Sequence, residues 1–206
     1  MKKLLSLVLG LMTFSFNVSA AAPTAAETKQ IEDYLNNIKT LSATFVQTAS
    51  NGSSAEGKIY IAKPNKIRME YNDPTSVLIV GDGSFIVYND KELDQVTHID
   101  YDDIPATLIL ANDLKIDGHN LKISDFYADS GTMIVTLEYP QKPDISPITL
   151  TFEKDPFELK QWKIVDPQSV EVTVSIYDTV KDGRLDENLF KFKKDKKSPL
   201  NYKNKK

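Results

Sequence analysis

Residues able to do chemistry are few in this 206-residue chain, and their spacing works against them. His98 and His119 sit among ordinary strand or loop residues, with no second histidine or carboxylate at ligand spacing, so neither reads as a metal ligand or a paired general base. Gly81-Asp82-Gly83 lacks the third glycine of a dinucleotide fingerprint and stands between two strand-like runs instead of opening a helix. No Gly-x-Ser-x-Gly elbow occurs. Asp178 to Leu189 has the length of a calcium loop, with Gly183 in the sixth place, but Val180 and Leu189 stand where oxygen ligands are needed. Asp102-Asp103 fall at the start of a short helix, where carboxylates stabilise exposed amide groups with no catalytic role. Carboxylate pairs for glycoside chemistry could be picked from any strand-rich chain with 29 acids, so they decide nothing. The expectation is a protein that is not an enzyme and uses neither cofactor nor metal.

Compartment is written at the N-terminus. Lys2 and Lys3 precede an apolar run from Leu4 to Phe16, and Val18-Ser19-Ala20 is a small-residue cleavage site, the pattern of a secretory signal over residues 1–22. The run is too short to span a bilayer comfortably, although a retained anchor is the alternative. Residues 23–192 then suit one domain, followed by a lysine-rich tail over 193–206. Without cysteine there is neither a disulfide framework nor a thiol for lipid attachment. Loss of the signal would leave 23 basic against 29 acidic residues, a net charge of −6, which argues against nucleic acid as a partner. The tail reads either as a solvated charge run or as a contact for anionic lipid head groups or an acidic partner.

The elements are mostly strands. Thr24-Ala25-Ala26-Glu27 is a capping box, and Ile31, Leu35, Ile38 and Leu41 give the helix that follows one apolar stripe. Leu41 to Ser50 reads as a strand with Ala43, Phe45 and Gln47 on one face. From Gly57 to Asn89 four short runs are separated by Lys63-Pro64-Asn65, Asn72-Asp73-Pro74 and Gly81-Asp82-Gly83, each a turn signal with a mechanism. Leu93 to Ile99 is a sixth strand, and a short helix with Pro105 in its first turn carries Ile104, Leu108, Ile109 and Leu110. Five further strands follow, over 121–126, 131–139, 147–152, 158–166 and 169–177.

About eleven strands and two helices predict a mainly β fold whose sheet must curl on itself, because two short helices cannot cover one face of so long a sheet. The alternation turns Phe45, Ile59, Ile61, Ile67, Met69, Phe85, Val87, Val135, Leu137, Leu150, Phe152, Trp162 and Ile164 inward, none of them charged. Such a set either packs as a core or lines a ligand space. The 104–110 helix is likewise either a core helix or a lid over an apolar opening.

The order of motifs resembles the LolA family of periplasmic lipoprotein carriers: Phe45-Val46-Gln47, Gly57, Lys63-Pro64-Asn65, Pro74, Leu78-Ile79-Val80, Asp82-Gly83, Val87-Tyr88, then Ile104-Pro105 leading into Leu108-Ile109-Leu110. The resemblance implies an incomplete, unclosed antiparallel barrel under a short helical lid. It implies a periplasmic monomer that takes acylated lipoproteins from an inner-membrane ABC transporter and gives them to an outer-membrane acceptor or to outer-membrane lipid. The inward residues, with Leu108 and Ile109, become an acyl-chain cavity on this reading. Pro64, Ile104, Pro105 and Leu110 belong to the lid and its turn, and Lys63 takes the place of a basic residue that holds the lid by hydrogen bonds to lid carbonyls. Ile67 and Met69 stand where that family often has large aromatics, which implies a softer wall. A lipid-sensing periplasmic module with the same barrel and lid is the competing reading; such proteins usually carry a further domain, for which no length follows Phe192.

Overall fold

A computed structural model describes residues 22–166 and 168–193, so the expected export signal up to residue 21 and all of the expected lysine-rich tail beyond its first residue lie outside the described residues. Thr24 caps the helix α1 (Ala25–Asn37) by accepting a hydrogen bond from the Glu27 amide while the Glu27 carboxylate accepts from the Thr24 amide, the reciprocal box expected from the sequence. Its apolar stripe buries Ile31 and Leu35 completely. Among the described residues no helix is long and apolar enough to cross a membrane.

Eleven strands follow: β1 (Thr40–Ala49), β2 (Ser54–Ala62), β3 (Lys66–Tyr71), β4 (Val77–Asp82), β5 (Ile86–Asp90), β6 (Gln95–Ile99), β7 (Lys122–Ala128), β8 (Thr132–Glu138), β9 (Ile148–Lys154), β10 (Phe157–Val165) and β11 (Glu171–Lys181). They form one antiparallel sheet in the order β6-β5-β4-β3-β2-β1-β11-β10-β9-β8-β7. Each strand pairs with its neighbour in sequence except at the centre, where the first and last strands meet, and at the two free edges, β6 and β7. The chain therefore builds outward to one edge, crosses to the other, and builds back. The β6-to-β7 crossing carries two 3₁₀ segments, Tyr101–Asp103 and Pro105–Leu110, and this topology lays them across the gap of the unclosed barrel as a lid.

The lid is 3₁₀ rather than α-helical, consistent with so short a segment whose tightened turns aim buried Pro105, Leu108, Ile109 and Leu110 inward. β11 runs to Lys181, past the expected end at Tyr177, because its pairing with β1 continues beyond a bulge between the pairs Thr44–Tyr177 and Ser42–Val180, where Asp178 has φ +51°.

One stretch of the inward assignment is out of phase. Val80 pairs with Val87 and Gly81 with Ile86, so Val87 shares the outer face with Val80, and Ile86 faces the interior in its place. Phe85, expected inward, lies outside as well, with its ring 4.8 Å from that of His98. A C-terminal 3₁₀ turn, Glu187–Phe190, covers this outer patch with buried Phe190 and is held by Arg68 Nη1 donating to the Leu189 carbonyl at 3.0 Å.

Candidate functional site

The interior divides by its covers. Phe152, Leu150, Val135 and Leu137 are wholly buried, and Tyr34 of α1 meets Phe152 and Phe157 edge-on with ring centres 5.6 Å apart in each case. Phe45 is wholly buried too, edge-on to Tyr71 at 5.0 Å over Gly57, where any Cβ would strike the Glu70 carbonyl and the Phe45 ring. None of these five expected cavity residues lines the space under the lid; the Tyr34 ring lies against Phe152 and the Tyr71 ring against Phe45. Leu108 of the lid also packs into this core.

Beneath the lid a cavity of about 160 Å³ remains. Ile59, Ile61, Ile67 and Met69 form one wall, Trp162 and Ile164 the opposite one, and Ile104, Ile109 and Leu110 the roof, all of them expected from the sequence. The roof also presents Ala106 and Thr107, whose short side chains leave the volume below them unfilled. Sequence reasoning missed Gln47, Tyr71, Ile79, Ile86, Val172 and Val174 as lining residues. The signal for Val172 and Val174 was their clean alternation, and for Ile86 the turn length that sets strand phase. No charged side chain lines the cavity, so it offers dispersion and hydrophobic burial and no acid, base or nucleophile.

Both covers are tied to the turn between β2 and β3. Lys63 Nζ donates to the Leu35 carbonyl near the end of α1, not to a lid carbonyl as the resemblance implied. The physical reason is that α1 has no basic residue in its last turn, and Lys63 supplies the cation its terminal carbonyls favour. Burial, with a smaller repulsion from Lys39, pulls the Lys63 ammonium down to about 8. The lid is held by Asn65 instead, whose amide donates to the Leu110 carbonyl at 3.1 Å while its carbonyl accepts from the Tyr101 hydroxyl.

The same hydroxyl accepts from the Gly83 amide at 3.1 Å, and it lies against Gly81, where a Cβ would collide with it. That glycine inside a strand was the signal for a close approach. Across the gap Tyr139 donates to the Pro105 carbonyl at 3.2 Å, and burial pushes its phenol up to about 12. Past the lid, Asn36 of α1 exchanges two hydrogen bonds with Leu114, of 2.7 and 2.9 Å, and Glu32 accepts from the Ile116 amide at 2.6 Å.

The family described as "Outer membrane lipoprotein carrier protein LolA" matches residues 36–193. This chain belongs to the LolA family. An uncharacterized protein of Rickettsia prowazekii is 27% identical over 94% of this chain and 88% of its own. The outer-membrane lipoprotein carrier protein of Azotobacter vinelandii is 24% identical over 90% of this chain and 93% of its own. The carrier of that name from Chromobacterium violaceum reaches 42%, but over 38% of this chain and 39% of its own length. Among solved structures, a LolA superfamily protein from Nitrosomonas europaea aligns at a TM-score of 0.45 and 7% identity, covering 80% of this chain and 97% of the other. The lid, turn and cavity described above thus fall within the family match, whereas residues 23–35, most of α1, precede it.

Proposed function

We propose that this LolA family member is a periplasmic chaperone that receives the acyl chains of lipoproteins released by an inner-membrane ABC transporter and delivers them to an outer-membrane acceptor or to outer-membrane lipid. It works as a monomer and performs no covalent step. The observation that carries the reading is the charge-free hollow under a lid held by a few polar contacts. At about 160 Å³ the hollow is smaller than the roughly 300–1,000 Å³ of ordinary ligand pockets, so cargo enters only when the lid moves.

Magnitudes favour such a two-state cover. Burying an acyl chain gains roughly 0.8 kcal/mol per CH₂, so one chain of about 14 methylenes gains on the order of 11 kcal/mol. Uncovering Leu108, Ile109 and Leu110 at roughly 1.5–3 kcal/mol each costs roughly 5–9 kcal/mol. Lid opening therefore offsets most of one chain's gain, which leaves multi-chain cargo bound yet releasable.

The test is release of newly acylated lipoprotein from spheroplasts. Ile67→Asp places a carboxylate on the cavity wall and should abolish release into the soluble fraction while the purified variant keeps its β-sheet circular dichroism. Release equal to wild type would remove the cavity from the function.

A further inference from the structure

Beside the lid-covered cavity lies a second hollow of about 270 Å³, set among the β1–β2 loop, the β3–β4 turn and β5. Gln47 and Tyr71 line both spaces, and the Tyr71 hydroxyl donates to Gln47 Oε1 at 2.7 Å along the wall they share. Gln47 has no place in an ordinary core: it follows Leu41, Ala43 and Phe45 on the inward face of β1 and is the polar member of that stripe. The two hollows differ in chemistry. The first is almost entirely hydrocarbon, whereas Ser53, Ser54, Thr75 and Tyr88 bring hydroxyls to the second. Among the described residues Gln47 Nε2, Thr75 Oγ1 and Tyr88 Oη have no hydrogen-bond partner, so each has a donor to offer. No lysine, arginine or carboxylate lines this recess.

The geometry points to the recess as a seat for the neutral polar linkage of an acylated protein, the ester and amide carbonyls that join fatty chains to the terminal residue, with the tails passing Gln47 and Tyr71 into the apolar cavity. This assignment rests on the carrier reading and names how the cargo is recognised. A carbonyl drawn from water without a partner is costly, so a space that swallows tails needs donors where tails meet their linkage. Phosphate head groups are poorer occupants, since they call for arginine or lysine and the recess has neither.

The purified protein is titrated with a synthetic lipopeptide bearing an S-diacylglyceryl cysteine, with its dialkyl ether analogue, which keeps the tails and loses the ester carbonyls, and with phosphatidylglycerol as competitor. Wild type should bind the ester roughly tenfold more tightly than the ether, the ratio expected of one or two modest hydrogen bonds. Gln47→Leu, and separately the pair Thr75→Val with Tyr88→Phe, should bring that ratio near one; the pair lies clear of the apolar cavity, so a folding defect in one variant does not decide the result. Equal binding of ester and ether by wild type, an unchanged ratio in both variants, or stronger competition by phosphatidylglycerol than by lipopeptide overturns the recess assignment while leaving the tail cavity standing. Failure of wild type to bind either lipopeptide overturns the carrier reading, and the recess with it.

Discussion

The sheet under α1 and the sheet under the lid are woven from the same alternating strands, yet the first is solid and the second hollow. The difference lies in the covers. α1 sends Ile31, Tyr34 and Leu35 down onto Phe152 and its neighbours, with Tyr34 edge-on to two rings, whereas the lid offers Ala106 and Thr107 over the space between Ile67 and Trp162. A hollow in a β fold is thus specified as much by what is withheld from the cover as by the strands below it.

The sharpest way to break this comparison is to truncate one side chain on each side. Phe152→Ala should cost about 3–5 kcal/mol of stability, whereas Ile67→Ala, which already faces an empty volume, should cost less than about 2 kcal/mol. Urea unfolding of the two variants measures both, and equal losses would mean that the halves are packed alike.

Filling the hollow is the second route. Val172→Phe adds a ring where there is room, so stability should stay within about 1 kcal/mol of wild type while affinity for an acyl-chain probe falls at least roughly tenfold. A destabilisation of about 3 kcal/mol with unchanged probe binding would place the hollow elsewhere.

Loosening one cover alone comes next. Tyr101→Phe removes the hydroxyl shared by Asn65 and Gly83, worth about 1–3 kcal/mol for two bonds at roughly 0.5–1.5 kcal/mol each. Amide exchange should accelerate across residues 101–110 and stay unchanged at Ile31 and Leu35 of α1. Acceleration in both would show the covers to be one cooperative unit.

The smallest effect concerns the tie to α1. Lys63 titrates near 8 when folded, below the 10.5 of an unperturbed lysine, so between those values the unfolded chain binds the additional proton. Stability contributed through this group therefore rises with pH across that window. The melting-temperature difference between wild type and Lys63→Met, measured at pH 7.5 and pH 10, should shift toward wild type at the higher pH; a shift the other way would contradict the buried amine.

Much of the fold was legible because period-2 patterning and turn residues are local. The capping box at Thr24, the turns at Pro64 and Gly83, and the alternation of Val172, Val174 and Ile176 each announce their element without reference to the rest, whereas Gly81 and Asp82 of the expected turn belong to β4. Register is less local. Alternation alone turns Phe85 and Val87 inward, but the turn before β5 fixes the strand's phase, and one residue of slip exchanges Val87 for Ile86. The division into solid and hollow was not legible at all, since Leu150 and Met69 look alike in a strand and differ only in which cover lies above them. The latch was half legible. Lys63-Pro64-Asn65 does hold both covers, but that the lysine holds α1 and the Asn65 backbone holds the lid depends on contacts far apart in sequence.

The central claim, an oily space under a movable roof, has a reporter built in. Trp162 is the one tryptophan in the chain, and it lies on the cavity wall. Lipopeptide with brominated acyl chains should quench its fluorescence saturably, and Val172→Phe should blunt the quenching. Full binding of the brominated lipopeptide with Trp162 emission unchanged would contradict the account.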